Sequence, residues 1–85
     1  MENLNDINFV VDCISKALDN YGDYYSWYWL HDEEIQDNEA YLTVWAHSTK
    51  DDGYDWTEDW MIDEKRNLYI DGELYGSVEE FLASY

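Results

Sequence analysis

This 85-residue chain has very little positive charge: four Lys or Arg residues stand against 21 Asp or Glu, for a formal net charge of −17. That shortage argues against a protein that binds nucleic acid or an anionic lipid surface by charge attraction. Proline is absent, and the single cysteine, Cys13, rules out an intramolecular disulfide. A lone cysteine is typical of a reducing cytoplasm. No stretch approaches the roughly 18 apolar residues of a membrane helix, and no export signal is recognisable.

The motifs of catalysis and of cofactor binding are also missing. There is no Gly-rich phosphate loop, no Cys/His metal spacing and no His-Glu-x-x-His. His47 precedes Ser48 without the Gly-x-Ser-x-Gly turn of a hydrolase, and placing Gly53 at the sixth position of a calcium loop puts Lys50 at the third. We therefore expect no enzyme activity, no catalytic or metal-binding residues and no cofactor. Sugar stacking on aromatic rings is a further alternative, but a neutral sugar leaves the charge unexplained.

Aromatic residues are abundant, with five Trp, nine Tyr and two Phe, or 19% of the chain. Hydrophobic residues make up 46%, which exceeds what disordered acidic tails contain. The acidity therefore belongs to a chain that folds. At this length we expect one small domain over residues 1–85, which buries roughly 60% of the surface of the unfolded chain.

Two segments show helical periodicity. Over residues 5–21 the apolar side chains recur every three or four positions, with Asn5 as the expected N-cap and Gly22 as the stop. Near the end, Ser77 and Glu80 have the spacing of a capping box at the start of a short closing helix.

Between the helices the sequence predicts strands. These lie at residues 24–30, 40–47, 54–62 and 68–70, with acidic or Gly-containing turns between them. The acids at 33–39 are expected to mark the first of these turns. The fold class is therefore α+β: an N-terminal helix, a three- to four-stranded antiparallel sheet and a short C-terminal helix, with the helices on one face.

Two groups of acids stand out as candidate partner-binding residues: Asp32, Glu33, Glu34, Asp37 and Glu39, and Asp51, Asp52, Asp55, Glu58 and Asp59. Alternate residues on a strand lie roughly 6–7 Å apart, a spacing similar to that of successive phosphates. Lys and Arg side chains that grip phosphates bind carboxylates with the same geometry. The alternative is a solvated face that only maintains solubility, for which a net charge of magnitude about 2–8 is enough.

In size, acidity, aromatic content and lack of catalytic motifs, the whole chain resembles the small phage-encoded DNA mimics, which include anti-CRISPR proteins, anti-restriction proteins and uracil-DNA-glycosylase inhibitors. The resemblance is compositional and rests on no shared motif. It implies an inhibitor that occupies the basic site of a nucleic-acid-binding protein in the host cytoplasm. A CRISPR effector fits this description because its channel and its PAM reader are built from Lys and Arg. We expect a monomer or small homo-oligomer that binds neither nucleic acid nor membrane directly.

The alternative function is that of an acidic immunity protein or antitoxin that neutralises a nuclease toxin. Aromatic anchors surrounded by charge make tight interfaces, and the 24–29 segment supplies such anchors. Trp27 and Trp29 are therefore candidate partner-binding residues in both interpretations. We expect at least one of Tyr25, Trp27 and Trp29 to be exposed.

The charge also makes a prediction about stability. Crowded carboxylates favour protonation in the folded state, so their pKa values are expected to lie above those in the unfolded chain. Mild acidification and added salt are both expected to stabilise the free domain.

Overall fold

The computed structural model describes residues 4–85, and the expected α+β fold is confirmed. Its elements are α1 (Ile7–Ala17), a 3-10 turn (Leu18–Asn20), β1 (Ser26–Gln36), β2 (Glu39–Ser48), β3 (Tyr54–Ile62), β4 (Asn67–Ile70), β5 (Glu73–Ser77) and α2 (Val78–Ser84). The sheet has five strands rather than three or four. The strand order is β1-β2-β3-β4-β5, and each strand pairs antiparallel with its neighbour in sequence.

The fifth strand is the one that the sequence did not predict. β5 reads Glu-Leu-Tyr-Gly-Ser, and its first three residues are exposed. Gly76 and the preceding Asp71-Gly72 turn make the segment look like a loop. Backbone pairing to β4, with a register shift after Leu68, is what makes it a strand.

β1 is also longer than predicted. It continues past residue 30 to Gln36, so the acids at 32–34 lie in the strand and not in a turn. The turn itself consists of Asp37 and Asn38, and Asp37 has a φ of 56°. A β-bulge interrupts the pairing between Leu30 and Asp32. Beyond the bulge the pairing is regular again, so Asp32 and Glu34 face one side of the sheet and Glu33 the other, and all three are exposed.

The ends of α1 differ from the prediction. Asp6, not Asn5, is the N-cap, and its carboxylate accepts from the backbone N–H of Asn8 at 3.0 Å. The helix ends at Ala17 and continues as the 3-10 turn, before the predicted end at residue 21. Gly22 is needed for close packing, since a Cβ there would lie 2.2 Å from the carbonyl oxygen of Ser26.

Both helices pack on the same face of the sheet and enclose the core. The largest fully buried side chains are Trp60, Phe81, Ile14, Leu18, Ile62, Leu68, Val10, Val44 and Val78. The predicted capping box at α2 is confirmed: Ser77 Oγ accepts from the Glu80 N–H and Glu80 Oε1 accepts from the Ser77 N–H, both at 3.0 Å. The opposite face of the sheet carries no helix of residues 4–85.

Candidate partner-binding face

The uncovered side of the sheet, here called the open face, is assembled from three long strands. Residues that pair across antiparallel strands point to the same side, so the register defines rows of side chains. The buried members of β2, from Ala40 to Ala46, face the helices, and the alternate residues therefore face outward. Four rows run across β1, β2 and β3: Trp27–His47–Asp55, Trp29–Trp45–Thr57, Asp32–Thr43–Asp59 and Glu34–Tyr41–Met61.

One end of the open face is aromatic. The Trp27 ring stacks on the His47 ring, with centroids 5.8 Å apart and an interplanar angle of 29°. The centroid of the Trp45 ring lies 6.1 Å from that of Trp29 and 5.3 Å from that of His31. Trp27 remains 51% exposed and Trp29 41%, which confirms the expectation that a ring of this segment is exposed.

His47 is held in place by a carboxylate. Its Nδ1 contacts Oδ1 of Asp55, the next residue of the same row. Trp27 stacks on one side of the imidazole, and the contact with Asp55 fixes the orientation of the His47 ring. The aromatic end is therefore an ordered surface at the start of β1.

The other end of the open face is an acidic groove. Its lining includes the outward side chains of Asp32, Glu34, Tyr41, Thr43, Asp59, Met61, Asp63 and Tyr69, and its volume is about 820 Å³. Tyr41 donates its hydroxyl to Glu39 at 3.3 Å, and the negative charge of Glu39, with smaller contributions from desolvation and from Glu34, raises the pKa of that phenol. The groove thus combines carboxylates with phenol rings.

Asp63 anchors the rim of this groove. Its carboxylate accepts from the backbone N–H groups of Lys65 and Asn67, at 2.9 and 2.8 Å, and from the Tyr69 hydroxyl at 3.3 Å. Partial desolvation raises the pKa of Asp63, but the hydrogen bonds from Asn67, Lys65 and Tyr69 outweigh it, and the net shift is downward. Asp63 is therefore an ionised structural residue of the β3–β4 turn.

The structure divides the predicted partner-binding residues among three locations. The open face carries Trp27, Trp29, Asp32, Glu34, Glu39, Asp55 and Asp59. The turns carry Asp37, Asp51 and Asp52, all with positive φ. Glu33 and Glu58 lie on the helix-bearing side, since they pair with the buried residues Leu42 and Val44.

Glu58 has a clear role on that side. Its two carboxylate oxygens accept from the indole N–H groups of Trp56 and Trp60, each at 2.9 Å. Burial raises the pKa of the nearby Tyr21 to about 12, and the negative charge of Glu58 adds to the effect. Glu58 therefore orders the aromatic core and does not contribute to the open face.

Few cations neutralise the acids. Within residues 4–85 the ion pairs are Lys16–Asp12, at 3.2 Å, and His47–Asp55. The Lys50 ammonium lies 5.1 Å from the centre of the Tyr25 ring. Arg66 donates to the Asn38 side chain and to five backbone carbonyls, those of Leu4, Asn5, Asn38, Asp63 and Glu64. The carboxylates of Asp32, Glu34 and Asp59 consequently have no ion-pair partner in the described part of the chain.

Sequence reasoning missed the middle of this face. Tyr41, Trp45, His47 and Met61 alternate with apolar residues and could be assigned to one side of their strands, but the register that places them beside Trp27 and Asp32 was not predictable. The sequence does contain one signal for these residues: the alternation of β2 assigns Tyr41, Trp45 and His47 to the side opposite its apolar residues. Once the register is known, the centre of the face is the row in which Thr43 of β2 lies between Asp32 of β1 and Asp59 of β3.

Comparison with protein-family models, with curated proteins and with solved structures finds no match to this chain. Within residues 4–85 there is no helix long and apolar enough to cross a membrane. The same residues hold no group of three or more His, Cys, Asp or Glu side chains arranged to bind a metal ion.

Proposed function

We propose that this protein inhibits a nucleic-acid-binding protein by occupying its basic site with the open face. The observation that supports this is the arrangement of the face: exposed tryptophans at one end and, around a groove at the other, the carboxylates of Asp32, Glu34 and Asp59, which have no ion-pair partner among residues 4–85. A solubilising surface needs acids but has no need of stacked, exposed indoles. Their combination is what a protein partner with Lys and Arg side chains would bind.

The spacing of the acids suits a site that binds phosphates. Asp55 and Asp59 are four residues apart on β3, about 13 Å along the strand. Asp32 and Asp59 lie in one row, separated by β2 and hence by about 9.5 Å at the backbone. A Lys- and Arg-lined channel meets carboxylates in two dimensions on such a face, as it meets phosphates on a nucleic acid.

A CRISPR effector is the target class that we favour, because its channel and PAM reader depend on Arg side chains that carboxylates can bind. The second candidate, an immunity protein against a nuclease toxin, is favoured by Trp27 and Trp29, whose exposure suits the anchors of a tight interface. Both functions place a basic nuclease surface against the open face.

Displacement of nucleic acid tests the proposal. A purified effector is incubated with fluorescent PAM-containing DNA, and the protein is titrated while anisotropy is followed. We expect displacement by the wild type and a loss of at least tenfold in apparent affinity for the triple variant Asp32→Asn, Glu34→Gln, Asp59→Asn. A nuclease toxin with its own DNA substrate replaces the effector in a second series.

The matched control removes the same charge elsewhere, through Asp19→Asn, Glu64→Gln and Glu79→Gln. These three side chains are exposed and lie outside the open face. Equal losses in the two triple variants would show that only net charge matters. Binding to a target without displacement of its nucleic acid would contradict the proposal.

A further inference from the structure

β1 is an edge strand, and part of its free side is open. Within residues 4–85 it pairs only with β2, and no strand lies on its other side. The Tyr25 carbonyl accepts from the Thr49 N–H at 2.9 Å, so the backbone groups of alternate residues 25, 27 and 29 point toward β2. Those of Ser26, Tyr28 and Leu30 therefore point away from the sheet.

The two ends of this edge differ. At Ser26 the edge is covered. The Ser26 N–H donates to the Asp23 carbonyl at 3.3 Å, and Gly22 packs against the Ser26 carbonyl oxygen. Beyond the bulge, Gln36 pairs with Glu39 next to the two-residue turn. The backbone N–H and C=O groups of Glu33 and Ile35 therefore point away from β2. The Glu33 N–H is satisfied by the Asp32 carboxylate at 2.8 Å. The open window therefore runs from Tyr28 to Ile35.

We propose that this window binds an extended, basic segment of the partner as a sixth strand of the sheet. Open edges are templates for strand addition, in which backbone hydrogen bonds provide affinity and flanking side chains provide selectivity. On the open face an added strand would lie beside Trp29, Asp32 and Glu34. On the helix-bearing side it would lie beside Leu30, Glu33 and Ile35.

The negative charge around the window indicates which kind of segment would bind there. Asp32 and Glu34 flank the window on the open face, and Leu30 and Ile35 lie beside it on the other, so an added strand with Lys or Arg at alternate positions and apolar residues between them would match both sides. A second copy of this chain fits poorly, because antiparallel pairing centred on the window brings Asp32 of both copies to adjacent positions and opposes two chains of net charge −17. The other edge strand, β5, has five residues and offers a shorter template.

This inference rests on the proposed function for the basic character of the partner, but its test needs no target. The probe is an eight-residue peptide of alternating Arg and Val. Its matched control has the same sequence, with N-methyl groups on alternate backbone amides so that it keeps every charge but cannot pair along that edge. Hydrogen exchange of the protein amides is followed by NMR with and without each peptide.

We expect the backbone amides of Tyr28, Leu30 and Ile35 to exchange quickly in the free protein and to slow at least tenfold with the unmethylated peptide. Amides of Trp27 and Trp29, already bonded to β2, serve as internal controls and should change little. The methylated peptide should bind at least about a hundredfold more weakly, since methylation removes several backbone hydrogen bonds at once.

A protein variant gives the complementary test. Ile35→Pro removes an outward N–H while sparing the pairing to β2, and Ile35→Ala shortens the same side chain but keeps that N–H. Weaker peptide binding by the Pro variant than by the Ala variant, with unchanged circular dichroism, is expected. Equal binding of the two peptides, absence of binding, or protection that spares Tyr28, Leu30 and Ile35 would overturn strand addition. The displacement of DNA by the open face is measured separately and could still succeed.

Discussion

Among single residues, Glu58 shows how an acid of this chain can serve the fold. It lies on the helix-bearing side and accepts from two indoles at once, with Tyr21 close enough for its charge to raise the phenol pKa. An acid in the middle of a strand otherwise rich in acids gives no sequence signal of this role. Counting carboxylates therefore overestimates those that are available to a partner.

Glu58→Gln is expected to lower the thermal midpoint. The amide can accept one indole N–H through its oxygen, but its NH₂ group faces the second indole and leaves that donor unsatisfied, at a cost of about 1–3 kcal/mol. The pKa of Tyr21 should fall as well, because the negative charge is lost. Thermal melts and a spectrophotometric tyrosine titration measure the two effects, and Glu79→Gln on the exposed side of α2 serves as the control. An unchanged midpoint would mean that the indole contacts contribute nothing to stability.

At the scale of elements, β1 is the predicted strand whose observed bounds differ most from the prediction. The aromatic half of β1 is recognisable from its rings, but the acidic half resembles a turn because charged residues rarely fill successive strand positions. By contrast, β3 matches its prediction at both ends, since the Gly53 turn and the alternation of Trp56 and Trp60 define it locally. The bulge at Leu30 and the pairing of β5 depend on neighbouring strands, and local sequence does not encode them.

The aromatic end of β1 gives a prediction that separates binding from folding. Trp27→Ala is expected to weaken target binding at least tenfold while leaving the thermal midpoint nearly unchanged, because the ring is half exposed and contacts His47 on the surface. Tyr54→Ala is the matched control: Tyr54 is 54% exposed but pairs with buried Ser48 on the other face. A large drop in midpoint for Trp27→Ala, or equal losses of binding in both variants, would identify the ring as part of the fold only.

For the whole molecule, hydrogen bonds to acids that cap turns and helices oppose the rise in pKa that crowding is expected to cause. The carboxyl pKa values that shift move downward: Asp23 through hydrogen bonds from Tyr25 and Ser26, Glu80 through its capping bonds from Ser77, and Asp63 through its turn, where hydrogen bonds outweigh desolvation. Crowding predicted the opposite direction. Acids that cap turns and helices receive backbone N–H groups, and these favour the ionised form more than distant acids disfavour it.

The pH dependence follows from that direction. A carboxyl group whose pKa is lower in the folded than in the unfolded state stabilises the fold at pH values above its unfolded-state pKa. That stabilisation is lost as the pH falls through its folded-state pKa. We therefore expect the free energy of unfolding, measured with urea, to fall as the pH drops below about 4. Asp63→Asn should show a smaller fall than the wild type, and Asp19→Asn the same fall. Stabilisation on acidification would mean that repulsion among the acids dominates instead.

Salt is expected to act on stability and binding in opposite directions. Raising the ionic strength from about 0.1 M to 1 M shortens the Debye length from about 10 to about 3 Å. Repulsion within the folded domain weakens, so the thermal midpoint should rise. Attraction to a basic partner weakens too, so affinity should fall over the same range. A midpoint that stays flat while affinity falls would show that the acids of the free domain are too dispersed to repel one another.

The meander topology has a consequence for how fast the protein reaches its native state. Every strand pairs with the one before it, so no pairing waits for the closure of a long loop, and local connectivity of this kind correlates with rapid folding. Proline is absent, so the isomerisation step of about 10–100 s that slows many proteins has no site in this chain. Stopped-flow refolding monitored by tryptophan fluorescence should therefore be complete without a phase on that timescale. Successive hairpins can form in chain order as the polypeptide leaves the ribosome, so β1 and β2 of the open face emerge and can pair before β5 and α2 emerge.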